Sequence, residues 1–378
     1  MKPKFTLREI YGDDILYTPR TPFSDNPWML NDVHKLDALT SREVLFADVP
    51  VLVHSATQTA QAKALLSLAG FTPPSTIYTY DTEEAYHAHL QNSDATIVCQ
   101  YLHEAHQIPR DRYWMDAEKF NELNCKSYID QLIDAKYVPK RFTVKLADAP
   151  ATISSMTLPI VLKPGGDDPT SGGYGVMICH TNEQVTEALR QLRKATTEDV
   201  VVEQLLSVKA NFSCQYIYTK ELGIQYLGAS EQLTDEEGHY HGNVIVRDVP
   251  QRVIDVGRHI MECGVAEGFV GIAGFDLIVT DTGDIQAIDL NFRQNGSTAM
   301  LMFKDSFKKS VAKFMSYEAK ADNATFYTNI VNCIKEGGLL PLAYYDGDYF
   351  DEPVTSRFYG IWYDDSLEQI EMRERLLL

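Results

Sequence analysis

Residues 273–293, AGFDLIVTDTGDIQAIDLNFR, carry the pattern on which the fold turns. An apolar run from Gly274 to Thr280 leads into the turn residues Asp281-Thr282-Gly283-Asp284, and a second run extends from Ile285 to Asn291, the signature of a β-hairpin. A symmetric turn sets Thr280 opposite Ile285 and therefore Asp276 opposite Asp289. Side chains alternate along a strand, so Asn291 shares the Asp289 face, while Phe275, Leu277, Ile288 and Leu290 point the other way. Opposed Cβ atoms lie about 4.5–5.5 Å apart, and like charges there repel. Two carboxylates so placed call for a positive charge between them.

Asp276, Asp289 and Asn291 offer only oxygen ligands, the chemistry of Mg²⁺ or Mn²⁺ held by one or two carboxylates and substrate phosphates. The plain alternative is a solvated hairpin with two exposed acids. The apolar opposite face, the Phe292-Arg293 pair that follows and the phosphate-binding features upstream favour the metal.

The chain has 378 residues, enough for two or three domains, and its composition is that of a globular protein. With 34 Lys+Arg against 53 Asp+Glu its formal charge is −19, which disfavours nucleic acid and anionic membranes as partners. The six cysteines are scattered without metal-ligand spacing, as expected of reduced thiols in a cytoplasmic protein. No apolar leader or membrane-length segment is evident.

The first hundred or so residues alternate strand-like segments (48–55, 95–101) with helix-like ones (58–69, 82–90), the rhythm of a parallel α/β domain, and contain no GxGxxG. A helical pattern runs over 116–135, ending at the break AKYVP (135–139) before a strand at 141–144. Strands follow at 160–163, 176–180, 199–205, 212–218 and 224–230, with helices at 182–194 and 248–263. The C-terminal part combines helix, an irregular stretch rich in Pro, Gly and Tyr, and a strand–helix end at 357–363 and 366–376, expected to pack back onto the main body.

The phosphate end is written at 159–176, PIVLKPGGDDPTSGGYGV, where a strand ends in Lys163 and enters a loop with five glycines. Such glycines let backbone N–H groups surround phosphate oxygens, with Lys163 as a point charge. The pattern is not a Walker A loop, because the lysine precedes the glycines, and a surface loop uses the same residues. The strand VVVEQLL (200–206) reads by itself as a core strand with an ordinary edge, though its exposed backbone could pair with an adenine edge.

Taken in order, these elements resemble the ATP-grasp superfamily, in layout its biotin carboxylase-like and carboxylate–amine ligase members. The resemblance covers about 116–303 and implies an α/β fold: a parallel pre-ATP-grasp domain over 1–115, a two-subdomain ATP-grasp fold over 116–303 (a small lid within 116–200, nucleotide and metal binding within 201–303), and a C-terminal segment over 304–378. It further implies that Lys126 and Lys163 contact ATP phosphates and that Gly172 and Gly173 close over them. Glu203, Gln204 and Leu206 would border adenine, and Asn211 takes the place of a ribose ligand. Asp276, Asp289 and Asn291 would hold two Mg²⁺ ions, and Arg293 would steady the transferred phosphate. The chain departs from the family in using Asp where Glu is usual, in the acidic Asp167-Asp168-Pro169 of its glycine loop, and in Asn-Phe-Arg where Asn-Pro-Arg is usual.

The activity implied is ATP-dependent joining of a small-molecule carboxylate to an amine through an acyl phosphate, with a homodimer as assembly. Substrate-facing candidates are Glu231, Tyr240, His241, Asn243 and Arg247 in 228–247, and the stretch Gln294–Met300 just after the metal hairpin, whose Gly296 and Ser297 suit close approach of substrate, with Arg357 as a carboxylate clamp. His239 and His241 suggest a metal pair, but no third ligand accompanies them. A carrier protein or peptide as acceptor, a biotin carboxylase-like carboxylase and a catalytically silent nucleotide-binding protein stay open. Retention of Lys126, Lys163, Asp276, Asp289, Asn291 and Arg293 together counts against silence.

Overall fold

The computed structural model describes every residue except Asp25, Leu30, 73–75, 167–169, Ser171, 235–239 and 246–247. Near the N-terminus, β1 (Ile15–Thr18), β2 (Val51–His54), β3 (Ile77–Tyr80) and β4 (Thr96–Cys99) form a parallel sheet in the order β3-β2-β1-β4. The strand-like segments and the helices between them are as the sequence suggests; β1 is an addition, four residues between an Asp pair and a proline, and buried throughout. Helices Ala60–Leu68 and Glu83–Asn92 start where Thr59 and Thr82 accept backbone N–H groups, two strong N-cap signals.

A small antiparallel sheet follows: β5 (Arg141–Lys145), β6 (Ile160–Pro164), β7 (Met177–Cys179) and β8 (Asp199–Gln204), in the order β5-β8-β6-β7. Ile160, Leu162, Val200 and Val202 turn to a core closed by helix Asn182–Lys194, whose capping box joins Thr181 and Gln184. Strand alternation then sends Arg141, Lys163 and Glu203 to the opposite face. The 116–135 pattern is not one helix: Ala117–Asn124 ends first, and Lys126 lies in the 3-10 turn Lys126–Tyr128 that follows.

The largest sheet is built of β9 (Val208–Thr219), β10 (Gly223–Thr234), β11 (Tyr240–Ile245), β12 (Gly271–Thr280), β13 (Ile285–Asn291), β14 (Val311–Glu318), β15 (Leu339–Tyr345) and β16 (Arg357–Asp364). Its order is β13-β12-β9-β10-β11-β14-β16-β15, antiparallel at each junction, so the C-terminal strands continue the sheet that carries the hairpin. β15 occupies part of the stretch expected to be irregular; its residues are all buried. Helix Gln251–Ala266 packs on one face through Val253, Val256, Ile260 and Met261 against Tyr216, Phe275 and Phe292. That approach needs Gly264, where a Cβ would lie 2.1 Å from the Phe292 ring. The opposite face shares one core with the N-terminal domain, joining Tyr17, Val51 and Val53 to Ile272, Met300, Phe303 and Leu342.

The hairpin register differs from the symmetric expectation in two places. The turn is tighter, with Val279 opposite Ile285, the Thr280 N–H donating to the Asp284 carbonyl at 2.9 Å, and Gly283 at φ +85°. A bulge between Asp276 and Leu277 then gives β13 one extra residue, Ile288, and restores Asp276 opposite Asp289. Ile288 consequently leaves the apolar face, and Ile285, Ala287 and Leu290 supply the core there.

Candidate functional site

The bulged hairpin faces the polar side of the small sheet. The Lys126 ammonium donates to Asp289 Oδ1 at 2.6 Å. Lys163 Nζ donates to Glu203 Oε1 at 2.9 Å and to the Ile288 carbonyl at 3.1 Å, so the extra residue of β13 supplies a direct link between sheets. Arg141 sits 3.6 Å from the second Glu203 oxygen and donates through Nη2 to the Lys126 carbonyl at 2.5 Å. Lys163, Glu203 and Arg141 are all more than nine-tenths buried. Burial lowers the Lys163 ammonium below its ordinary value, against the pull of Glu203.

The facing carboxylates behave oppositely. Asp276 is pushed up to about 7, first by burial and then by the Asp289 charge, while hydrogen bonds from Gln232 and Ser213 and the Lys126 charge act against the rise. Burial also works to raise Asp289, but Lys126, Lys163 and Arg293 together outweigh it and hold this carboxyl below its usual range. The structure thus brings together Lys126, Lys163, Asp276, Asp289 and Arg293, with Asn291 accepting a hydrogen bond from Arg293 Nη1. Arg293 also lies over the Tyr101 ring, 4.6 Å from its centroid, and donates to the Thr170 carbonyl at 3.3 Å.

Asp276 Oδ1 is buried with no hydrogen-bond partner. An oxygen-only set of two carboxylates and an amide, with one oxygen unpartnered, suits Mg²⁺ or Mn²⁺. Among the described residues no three His, Cys, Asp or Glu side chains cluster to hold a metal. The remaining ligands would come from substrate and water, as Mg²⁺ sites usually have it.

The Asp276 shift has a consequence for stability. An unfolded chain releases this proton near the ordinary aspartate value and the folded protein near 7, so the folded state binds more protons between the two. The group therefore carries no penalty below about pH 4, costs stability progressively as pH rises, and reaches its full cost above about 7. Asp276→Asn removes that cost. In thermal melts without nucleotide or metal, the variant is expected to exceed wild type at pH 8 by on the order of 1–3 kcal/mol and to match it near pH 4. Equal stability at pH 8 would contradict the electrostatic picture.

Gly172 and Gly173 have φ of +63° and +85°, left-handed backbone that favours glycine, and the Gly172 carbonyl accepts from the Tyr240 N–H at 3.3 Å. The Glu203 carboxylate is occupied by Lys163 and Arg141. Gln204 and Leu206 are half-buried at and just beyond the end of β8. Asn211 Oδ1 accepts from the Gln232 N–H at 3.0 Å. Glu231 is exposed on β10, whereas Asn243 is buried, accepting from the Tyr240 hydroxyl and donating to Ser230 Oγ at 3.0 Å. Gly296 does permit a close approach, but by Tyr240: a Cβ there would lie 2.3 Å from its hydroxyl. Ser297 is 1% exposed and accepts from Gln215 Nε2 at 2.6 Å, so it braces the site from behind. Arg357 is paired with Asp32 at 3.1 Å and Glu318 at 3.4 Å. Arg247, His239 and Asp167-Asp168-Pro169 lie outside the described residues.

The sequence reading did not single out Arg141, nor Ser213 and Gln215, which join Asn295 and Thr298 of the 294–300 stretch in a hydrogen-bonded network beneath the Asp276–Asp289 face. It also missed Tyr101. Polar residues at alternate β9 positions next to a paired acid are the signal that could have pointed to Ser213 and Gln215.

Three family models match the chain in order. The L-aspartate–L-methionine ligase N-terminal domain matches residues 6–121, its ATP-grasp domain 139–291, and its C-terminal domain 305–378. Among solved structures, N5-carboxyaminoimidazole synthetase from Staphylococcus aureus complexed with ADP is 12% identical with a TM-score of 0.59, covering 98% of each chain. L-amino acid ligase from Bacillus licheniformis is 12% identical with a TM-score of 0.54, covering 97% of this chain and 96% of its own. Biotin carboxylase from Campylobacter jejuni is 14% identical with a TM-score of 0.59, covering 96% and 91%. At these identities the likeness establishes the ATP-grasp fold. No helix among the described residues is long and apolar enough to cross a membrane. With all three segments matched in sequence order, the chain belongs to the L-aspartate–L-methionine ligase family of ATP-grasp enzymes, and is an ATP-dependent ligase that joins a carboxylate to an amine.

Proposed function

We propose that this ligase joins the carboxylate of L-aspartate to the amino group of L-methionine, using ATP with Mg²⁺. The family description supplies the two amino acids. The observation that carries the chemistry is the convergence of Lys126, Lys163 and Arg293 on the facing carboxylates Asp276 and Asp289. A carboxylate oxygen attacks the γ-phosphorus, the bond to the β,γ-bridging oxygen breaks, and ADP leaves with that electron pair. The methionine ammonium loses one proton to solvent and its nitrogen attacks the acyl carbon; the carbon–oxygen bond to phosphate breaks, and the second proton from nitrogen ends on the released phosphate, leaving the amide.

Lys163 and Arg293 spread the charge on the transferring group, the electrostatic work that dominates phosphoryl transfer. Gly172 and Gly173 turn backbone N–H groups toward the phosphates, and Lys126 fixes Asp289 as it adds its charge. Asp276, Asp289 and Asn291 would hold Mg²⁺, which when bound neutralises phosphate oxygens. The backbone at Gln204 and Leu206 borders adenine, and Asn211 the ribose. We place the protein in a reducing cytoplasm, since all six cysteines are unpaired and four are buried.

The substrate assignment is tested by incubating the protein with ATP, Mg²⁺ and pooled amino acids and resolving the products by mass spectrometry. An aspartyl-methionine dipeptide formed one-for-one with ADP is the expected result. ADP release driven by a different amino-acid pair, with no such dipeptide, overturns the assignment.

A further inference from the structure

Arg42 and Glu43 lie in the turn between 3-10 helix Leu39–Ser41 and helix Val44–Ala47, far in sequence from the metal hairpin. Both are more than nine-tenths buried, at 8% and 1% exposed. Their mutual pairing is loose, Arg42 Nη2 standing 3.4 Å from Glu43 Oε1. Arg42 Nε and Glu43 Oε2 are buried without hydrogen-bond partners. A buried ion pair is retained cheaply only when short bonds satisfy its remaining atoms, and here they do not.

The pair adjoins the reaction site along two routes. Gln100 donates to Glu43 Oε1 at 3.4 Å, and the next residue, Tyr101, carries the Arg293 guanidinium on its ring. The Tyr240 hydroxyl feels both the Arg42 and the Asp276 charges, and its backbone N–H binds the glycine loop. Gln294, directly after Arg293, is 3% exposed and its Oε1 has no partner, a third buried polar atom left without one.

Peptide-bond formation decides which substrate charges need permanent partners. The activated carboxylate loses its charge on becoming an acyl phosphate, and the acceptor ammonium must give up its proton. An aspartate donor keeps two charges on one molecule throughout, its α-ammonium and its other carboxylate. A neighbouring anion and cation match that pair. We propose that Arg42 and Glu43 form the donor subsite, Glu43 receiving the α-ammonium and Arg42 the unactivated carboxylate of the amino acid that is phosphorylated. The assignment rests on the aspartate–methionine function proposed above.

The test compares aspartate with asparagine, whose side-chain amide is the uncharged isostere of the side-chain carboxylate, as donor at saturating ATP and methionine. Arg42→Gln is expected to lower kcat/KM for aspartate by about 10²-fold with little change for asparagine, collapsing the preference. Arg42→Lys should restore part of it. Glu43→Gln should raise the KM of both donors alike and leave those of methionine and ATP unchanged. A thermal shift with an ATP analogue, retained in each variant, shows that the fold is intact. Arg42→Gln keeping the aspartate preference, or raising the methionine KM instead, overturns the donor subsite. A wild type that ligates other amino acids but not aspartate overturns the substrate reading, and this assignment with it.

Discussion

Asp289→Asn is expected to reduce ATP-dependent ligation by about 10³-fold or more while also lowering thermal stability, since a single electrostatic ligand or donor at a phosphoryl or acyl transfer centre is commonly worth that much. The stability loss has a separate cause. Lys126 is 7% exposed, and its ammonium relies on Asp289 at 2.6 Å. Removing one partner of such a pair leaves a buried charge uncompensated, at a cost of about 3–5 kcal/mol when burial is complete and less here, where the Asp289 side chain is 28% exposed. Asp276→Asn, by contrast, should abolish activity while stabilising the protein above neutral pH. Two acids on one face, equally needed for turnover, thus move the melting temperature in opposite directions. Parallel steady-state assays and melts at pH 8 check the pair; equal stability effects of the same sign would contradict the assigned charges.

Arg293→Lys is expected to lower kcat by about 10²–10³-fold with only a small change in the ATP KM. The guanidinium uses several features that an ammonium lacks. It lies over the Tyr101 ring, donates through one nitrogen to Asn291 and through another to the Thr170 carbonyl. A lysine keeps the charge but gives up the planar fork and the stacking. A kcat within about threefold of wild type would show that charge alone suffices at this position, against the positioning role derived from these contacts.

Much of the frame was legible because period-two alternation and turn chemistry act locally. The hairpin, the Lys163 strand, the VVVEQ strand and helix Asn182–Lys194 all follow from such signals. Asp276 does face Asp289, yet through two compensating departures: a turn one residue tighter and the bulge at Ile288. Bulges answer to tertiary demands, here the Ile288 carbonyl offered to Lys163, and no local pattern encodes them. The helical pattern that takes in Lys126 outruns the helix itself, which stops at Asn124, because the apolar spacing continues through the 3-10 turn beyond it. The partners of Glu203 were hidden for a different reason. Arg141 reaches it only through the β5–β8 register, a pairing between segments far apart in the chain. Arg42 and Glu43 likewise sit in an unremarkable LTSREVLF segment, and packing of the N-terminal domain on the large sheet gives them their setting.

In the reaction proposed above, phosphorylation at the Asp276–Asp289 face activates the donor carboxylate. Aspartate labelled with ¹⁸O in its carboxylates, ligated to methionine in unlabelled water, tests it directly. One ¹⁸O atom should appear in each phosphate released, with ADP as the nucleotide product. Label recovered in AMP, or phosphate free of ¹⁸O, would contradict the acyl-phosphate mechanism.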